Sequence, residues 1–146
     1  MRFGRAAKKD SENLFNWRND PETRAESLNT APVLREAHEA WLARTLKNPK
    51  RILFIVEEEN EAVGAMRADK LENEDGYELS WTVAPNVRGR GVGKQMLIQA
   101  ISGEINAPVF KAVIKRENIA SIKMAQAAGF KQESEEKGVL VWYLRR

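Results

Sequence analysis

At 146 residues, 42% hydrophobic and 31% charged, the chain is long enough for one ordinary core and too short for two, so a single domain over residues 1–146 is expected. The absence of cysteine excludes a disulfide framework, a thiolate nucleophile and a cysteine-rich zinc site, and no metal is expected. A net charge of +3 suits an anionic ligand without calling for nucleic acid.

The N-terminal run Met1-Arg2-Phe3-Gly4-Arg5-Ala6-Ala7-Lys8-Lys9 is basic but has no apolar stretch, and no window approaches ~18 uninterrupted apolar residues. Neither a signal peptide nor a membrane span is expected, and a cytoplasmic location fits. A short first strand leads to a helix near Ser11 to Asn19, which Asp20-Pro21 ends because a residue before proline is pushed out of the α region; a polar loop is expected next. From Val33 to Leu46, Leu34, Ala37, Trp41 and Leu42 recur at helical spacing, and Asn48-Pro49 closes that helix.

The run Ile52-Leu53-Phe54-Ile55-Val56 reads as a buried strand within Arg51 to Glu57, and Glu59-Asn60-Glu61 as a hairpin turn into Ala62 to Asp69. Tyr77 to Val83 alternates apolar Tyr77, Leu79, Trp81 and Val83 with Glu78, Ser80 and Thr82, so one face carries a carboxylate and two hydroxyls. Beyond a glycine-rich loop, Val92, Met96, Leu97, Ala100, Ile101 and Ile105 make a helical stripe that packs on the sheet. Val109 to Ile114 is a further strand, Asn118 to Ala128 a helix capped by Asn118 and stopped by Gly129, and Val139 to Leu144 a last strand. No linker, repeat or low-complexity run interrupts the series, and the pattern is α+β with a mixed sheet.

The loop Val87-Arg88-Gly89-Arg90-Gly91-Val92-Gly93-Lys94 concentrates three cations and three glycines between a strand and a helix. A diphosphate needs several N–H groups aimed at one spot; a helix N-terminus supplies them with a partial positive charge, and glycines let the main chain approach. A triphosphate P-loop requires G-x-x-x-x-G-K-S/T, whereas here three residues separate Gly89 from Gly93 and Gln95 follows Lys94. The dinucleotide fingerprint G-x-G-x-x-G fails as well, since its third glycine would fall on Lys94.

The spacing Arg88-x-x-Gly91-x-Gly93, followed some thirty residues later by Asn118-x-x-Ser121 to Gly129-Phe130, resembles the GNAT superfamily of N-acetyltransferases. That family's coenzyme motif is Q/R-x-x-G-x-G/A, and its later helix reads N-x-x-A/S-x-x-L/M to G-F. The resemblance covers roughly Ile52 to Phe130 and implies a mostly antiparallel central sheet with helices on both faces. It implies acetyl-CoA as co-substrate, with main-chain N–H groups from Arg88 through Gly89, Arg90, Gly91, Val92 and Gly93 to Lys94 on the pyrophosphate. Trp81, Thr82 and Val83 would pair with the pantetheine arm like an added strand, with Asn118 and Ser121 flanking its thiol end. The resemblance further implies direct attack by the amine, which suits a chain without cysteine and with one histidine.

Such a transfer requires a neutral amine, a stabilised oxyanion and a proton for the leaving thiolate. Glu78, on the polar strand face before the loop, is the candidate base, and an ordinary solvated carboxylate is the competing reading. Val83 N–H is an oxyanion contact by resemblance. The tyrosine that many family members carry seven residues after the asparagine is Ala125 here, leaving Tyr143, Tyr77, Ser121 or water as proton donors. His38 shares a helical face with Leu34, Trp41 and Leu42 and is read as a packing or hydrogen-bonding residue rather than a base. The segment Trp17 to Arg24 is the candidate acceptor wall, with Arg18 and Arg24 either meeting an anionic substrate or standing as surface charge.

The string Trp17-Arg18-Asn19-Asp20-Pro21 with His38-x-x-Trp41 looks most like family members that acetylate nucleotide-linked aminosugars; related strings occur in enzymes acting on ribosomal-protein N-termini. A small-molecule primary amine is therefore the expected partner, with a protein α-amino group as alternative. A noncatalytic polyanion- or RNA-binding module and a degenerate acyltransferase also stay open. The small basic cluster and the lack of base-stacking aromatics argue against stable nucleic-acid binding. Monomer and homodimer are not distinguished.

Overall fold

The computed structural model describes all residues, Met1–Arg146. The strands are β1 Arg2–Arg5, β2 Arg51–Glu58, β3 Glu61–Lys70, β4 Tyr77–Val83, β5 Val109–Lys115, β6 Lys131–Glu136 and β7 Val139–Arg145. They form one sheet in the order β1-β2-β3-β4-β5-β7-β6, in which β4 and β5 alone run parallel. The helices are α1 Ser11–Asn19, α2 Pro21–Glu26, α3 Arg35–Lys47, α4 Val92–Gln99 and α5 Ile119–Ala127. The last turn of α4 widens at Ala100–Glu104, where Ile105 N–H reaches back to Ala100 O (2.9 Å).

Two-residue turns set the hairpins. Glu59 and Asn60 both take positive φ (52° and 66°), as do Lys137 and Gly138 (51° and 78°), and paired left-handed residues match the twist of the strands they join.

Register assigns the faces, because directly opposed residues share a side of the sheet. Leu53, Arg67 and Ser80 are opposed across β2, β3 and β4, on the side covered by α1 and α3. Phe54, Met66 and Trp81 are opposed on the other side, beneath α4 and α5. Helices on both faces of an α+β sheet are as the sequence implied. The expected α4 stripe, from Val92 to Ile105, is buried at all six positions.

Two sequence expectations change, and one strand was not anticipated. Asp20-Pro21 ends α1 but also starts α2 rather than a loop: the Asp20 side chain accepts from Thr23 N–H, and Pro21 fills the first helical position, whose amide needs no partner. On α3, Leu34 precedes the helix and is 75% exposed, and the face turned inward is His38, Leu42 and Thr45. β6 carries no apolar residue, is exposed throughout and is held by its backbone pairing with β7, so periodicity could not reveal it.

Candidate active site

Parallel pairing of β4 with β5 is confined to Tyr77 opposite Phe110 and Glu78 opposite Lys111. The strands then part, leaving the Leu79–Val83 edge of β4 without a partner, and a cavity of about 690 Å³ opens beside it. Ala84 N–H donates to Val63 O on β3 (2.8 Å). Main-chain direction alternates along a strand, so Thr82 also faces β3, while Trp81 and Val83 turn their N–H and C=O groups toward the opening. Of the three residues expected to offer backbone pairing, two are thus free to do so, and Thr82 contributes its side of the cavity wall.

At the far end of the opening the chain turns into α4. Gly89 (φ 78°) and Gly91 (φ 74°) are left-handed, and Gly91 is the N-cap. Gln95 N–H is the first to find a carbonyl of this turn, Gly91 O at 3.1 Å, so the amides before it have no helical partner. Gly93 is glycine for another reason. A Cβ there would stand 2.7 Å from Met124 Cε and 3.1 Å from Val83 Cγ2, so the missing side chain lets α4 pack on α5 and β4. On sequence grounds all three glycines share one purpose, and the geometry separates them.

The three loop cations separate too. Arg88 is committed: Nη2 donates to Asp20 Oδ2 (2.5 Å) and Thr23 Oγ1 (2.8 Å), and Nη1 lies 2.7 Å from Glu22 Oε2. Burial would raise the Asp20 carboxyl, but hydrogen bonds from Arg88 and Thr23 outweigh it and hold Asp20 below the usual aspartate range. Arg90 is exposed and does not line the cavity, whereas Lys94 does, along with Gly89, Gly91, Val92 and Gly93. Amides, helix end and Lys94 therefore supply the positive potential at this end.

At the other end, Glu78 sits where pairing stops, with Lys111 Nζ 3.9 Å from Oε1. Ser121 is buried on α5 and accepts a hydrogen bond from Trp81 Nε1 (3.2 Å), leaving its own hydroxyl hydrogen to donate. Asn118 Oδ1 is used in capping α5, accepting from Ser121 N–H at 3.1 Å. Ala125 is fully buried and outside the cavity lining. Tyr143, its ring beneath the Arg145 guanidinium, borders a smaller pocket that adjoins this one at Glu78, and Tyr77 borders neither, so Ser121 is the one side chain among the expected proton donors that lines this cavity.

Trp17, Arg18, Glu22, Thr23 and Arg24 form the opposite wall of the same cavity, facing Glu78 and Ser80. Arg24 donates to Thr30 O in its own segment (3.1 Å), and Arg18 lies over the Trp41 ring (5.3 Å). Glu26, also in the wall, is pushed up by burial and by Glu22 beside it. Sequence reasoning missed Arg67, which β3 places on this face opposite Ser80; the signal was a lone cation in the otherwise apolar run Ala65-Met66-Arg67-Ala68. His38 is outside the cavity, fully buried, with Nε2–H donating to Ser11 O (3.1 Å), as its packing reading expected.

No three His, Asp or Glu side chains stand together as a metal site, and no helix is long and apolar enough to cross a membrane. The structure of spermidine N-acetyltransferase from Vibrio cholerae, in complex with CoA and spermine, superposes with a TM-score of 0.87 at 15% identity, covering 99% of this chain and 94% of that one. Ribosomal-protein-alanine N-acetyltransferase from Brucella melitensis gives 0.78 at 23% identity over 100% of both chains. An N-acetyltransferase of Campylobacter jejuni in complex with acetyl coenzyme A gives 0.75 at 18% identity, covering 99% and 98%. A comparison with curated proteins finds no significant sequence match. The model of the acetyltransferase (GNAT) domain matches residues 2–131, and with that match the chain belongs to the GNAT family, the acetyl-CoA-dependent N-acetyltransferases.

Proposed function

We propose that the chain moves the acetyl group of acetyl-CoA to a primary amine by direct attack in a ternary complex, and that the acceptor is a small molecule such as a nucleotide-linked aminosugar. One observation carries this reading: a single cavity joins the free amides before α4, the unpaired edge of β4 and a polar wall containing Glu78. An extended, amide-bearing pantetheine arm fits an open strand edge, where it gains main-chain hydrogen bonds as an added strand would. The pyrophosphate fits the amides from Gly89 to Lys94, and Lys94 adds charge.

In this scheme Glu78 removes the amine proton, directly or through one water. The Val83 N–H, turned toward the opening, stabilises the oxyanion. Ser121 passes its hydroxyl proton to the leaving sulfur and takes another from solvent, while Glu78 releases the amine proton to solvent; the indole N–H that Ser121 accepts makes its hydroxyl a better donor. Trp81 thus has two duties, its main chain on the donor's arm and its side chain on Ser121.

A protein α-amino acceptor is the second reading, supported by the fold shared with the Brucella melitensis enzyme. Polyanion binding loses its main support, since Arg88 is already neutralised by Asp20 and Glu22. The test is initial-rate measurement of CoA thiol release with a panel of amines. Amine-dependent release with intersecting double-reciprocal lines supports the proposal. Absence of release with every amine, together with no stabilisation by acetyl-CoA, contradicts it.

A further inference from the structure

We propose that the acceptor amine carries an anionic group, held by Arg18 and Arg67 on the α1 side of the cavity. The inference rests on reading this cavity as the acetyl-transfer site, and it names the class of acceptor.

The charges around the two arginines do not balance. Asp69 faces two guanidinium groups: Arg51 Nε lies 2.5 Å from Oδ1 and Arg67 Nε 3.2 Å from Oδ2. The Arg67 approach is not aligned for donation, so its buried Nε has no hydrogen-bond partner. Arg67 Nη2 reaches only the neutral Ser80 Oγ, at 3.3 Å. Arg18 has no ion pair or hydrogen bond to the protein; the Trp41 ring fixes its position. Arg51 and Arg67 therefore share one carboxylate and Arg18 has none, while Arg18 and Arg67 are close enough to oppose each other's charge.

The other charged groups of the wall are occupied or lie elsewhere. Glu78 is beside Lys111, Glu22 is paired with Arg88, and Glu26 lies among Glu22, Arg88 and Asp20 at the α2 end. Two partly desolvated guanidinium groups, Arg18 without a counterion and Arg67 with half of one, cost free energy that a carboxylate or phosphate recovers, and the planar fork of arginine suits either group. The same field disfavours a polycation. The similarity to the spermidine enzyme is one of fold, at 15% identity, and does not carry its substrate over.

Carboxylate and phosphate are separated by paired acceptors: alanine with alanine amide, and a nucleotide-linked aminosugar with the free aminosugar. Calorimetry on the CoA-bound protein measures affinity without turnover, and thiol release measures kcat/KM. We expect the anionic member of at least one pair to be favoured by about tenfold or more, as for a charge-assisted hydrogen bond. R18Q and R67Q should shrink that ratio toward one, whereas R67K keeps part of it. Arg18 makes no hydrogen bond or ion pair within the fold and only rests on the Trp41 ring, so R18Q should fold and melt close to the parent. If no anionic amine binds better than its neutral partner, if spermidine is preferred, or if R18Q leaves the ratio unchanged, the inference is wrong. Each of these outcomes is read from binding, so it stands apart from whether acetyl transfer itself is observed.

Discussion

Arg88 and Asp20, sixty-eight residues apart in sequence, form a 2.5 Å ion pair that ties the loop before α4 to the N-cap of α2. The bond couples the donor end of the cavity to the acceptor wall, since Asp20 caps the short helix that carries Glu22, Thr23 and Arg24. Replacing Arg88 by alanine leaves the Asp20 and Glu22 carboxylates without the cation they share, Asp20 largely shielded and Glu22 exposed.

We expect R88A to lose about 1–3 kcal/mol of stability, the range for removing one partner of a charged hydrogen bond, and to raise KM for acetyl-CoA. Urea denaturation and initial rates check this. The pH sign follows from Asp20, whose carboxyl is held below its ordinary value. Its stabilisation is complete above the unfolded pKa near ~3.9 and is lost as pH falls through the lower folded value. R88A should therefore lose less of its stability in acid than the parent protein.

The glycines predict two distinguishable failures. G91A puts a Cβ on a residue at φ 74°, a strain of about 1–2 kcal/mol that the loop relieves by moving its amides, so acetyl-CoA affinity should fall. G93A keeps that loop but drives Met124 from its seat, and Met124 lines the cavity. The double variant G93A/M124A should recover affinity lost in G93A, whereas G91A/M124A should not. Calorimetric titration with CoA separates the cases.

Glu78 is half-buried beside Lys111 and within the cavity. If it removes the amine proton, E78Q should lower kcat by about 10²–10⁴, the usual share of general-base catalysis, with KM for acetyl-CoA little changed. Rates should also recover toward high pH, where free amine no longer needs a base. A fall below threefold would assign Glu78 to the ion pair alone.

His38 gives a second pH handle. Burial pushes its imidazole down, and Nε2–H donates to Ser11 O while Nδ1 has no partner. The neutral form is thus the native one. Its contribution is present above the unfolded pKa of about 6.5 and is lost as pH falls through the lower folded value. H38Q should remove that part of the slope from denaturation curves recorded between neutral and mildly acid pH.

The sequence made most of the frame legible because its signals were periodic. The α4 stripe, the hairpin at Glu59-Asn60 and the Asn118 cap each depend on neighbours a few residues away. What escaped was set by partners distant in the chain. β6 exists because β7 offers an edge, and Arg88 is engaged because Asp20 comes back beside it. Likewise, the alternation in β4 was correct, but burial of Trp81 and Val83 stays partial because β5 leaves the strand after Glu78. Composition near the loop suggested three phosphate-facing cations, and folding leaves Lys94 as the one in the cavity without an ion pair.

The most direct test is a crystal structure with acetyl-CoA bound. The pyrophosphate should lie on amides between Gly89 and Lys94, the pantetheine arm along Trp81 and Val83, and the thioester between Glu78 and Ser121. Coenzyme density outside the gap between β4 and β5, or a pyrophosphate away from the start of α4, would contradict the proposed donor site.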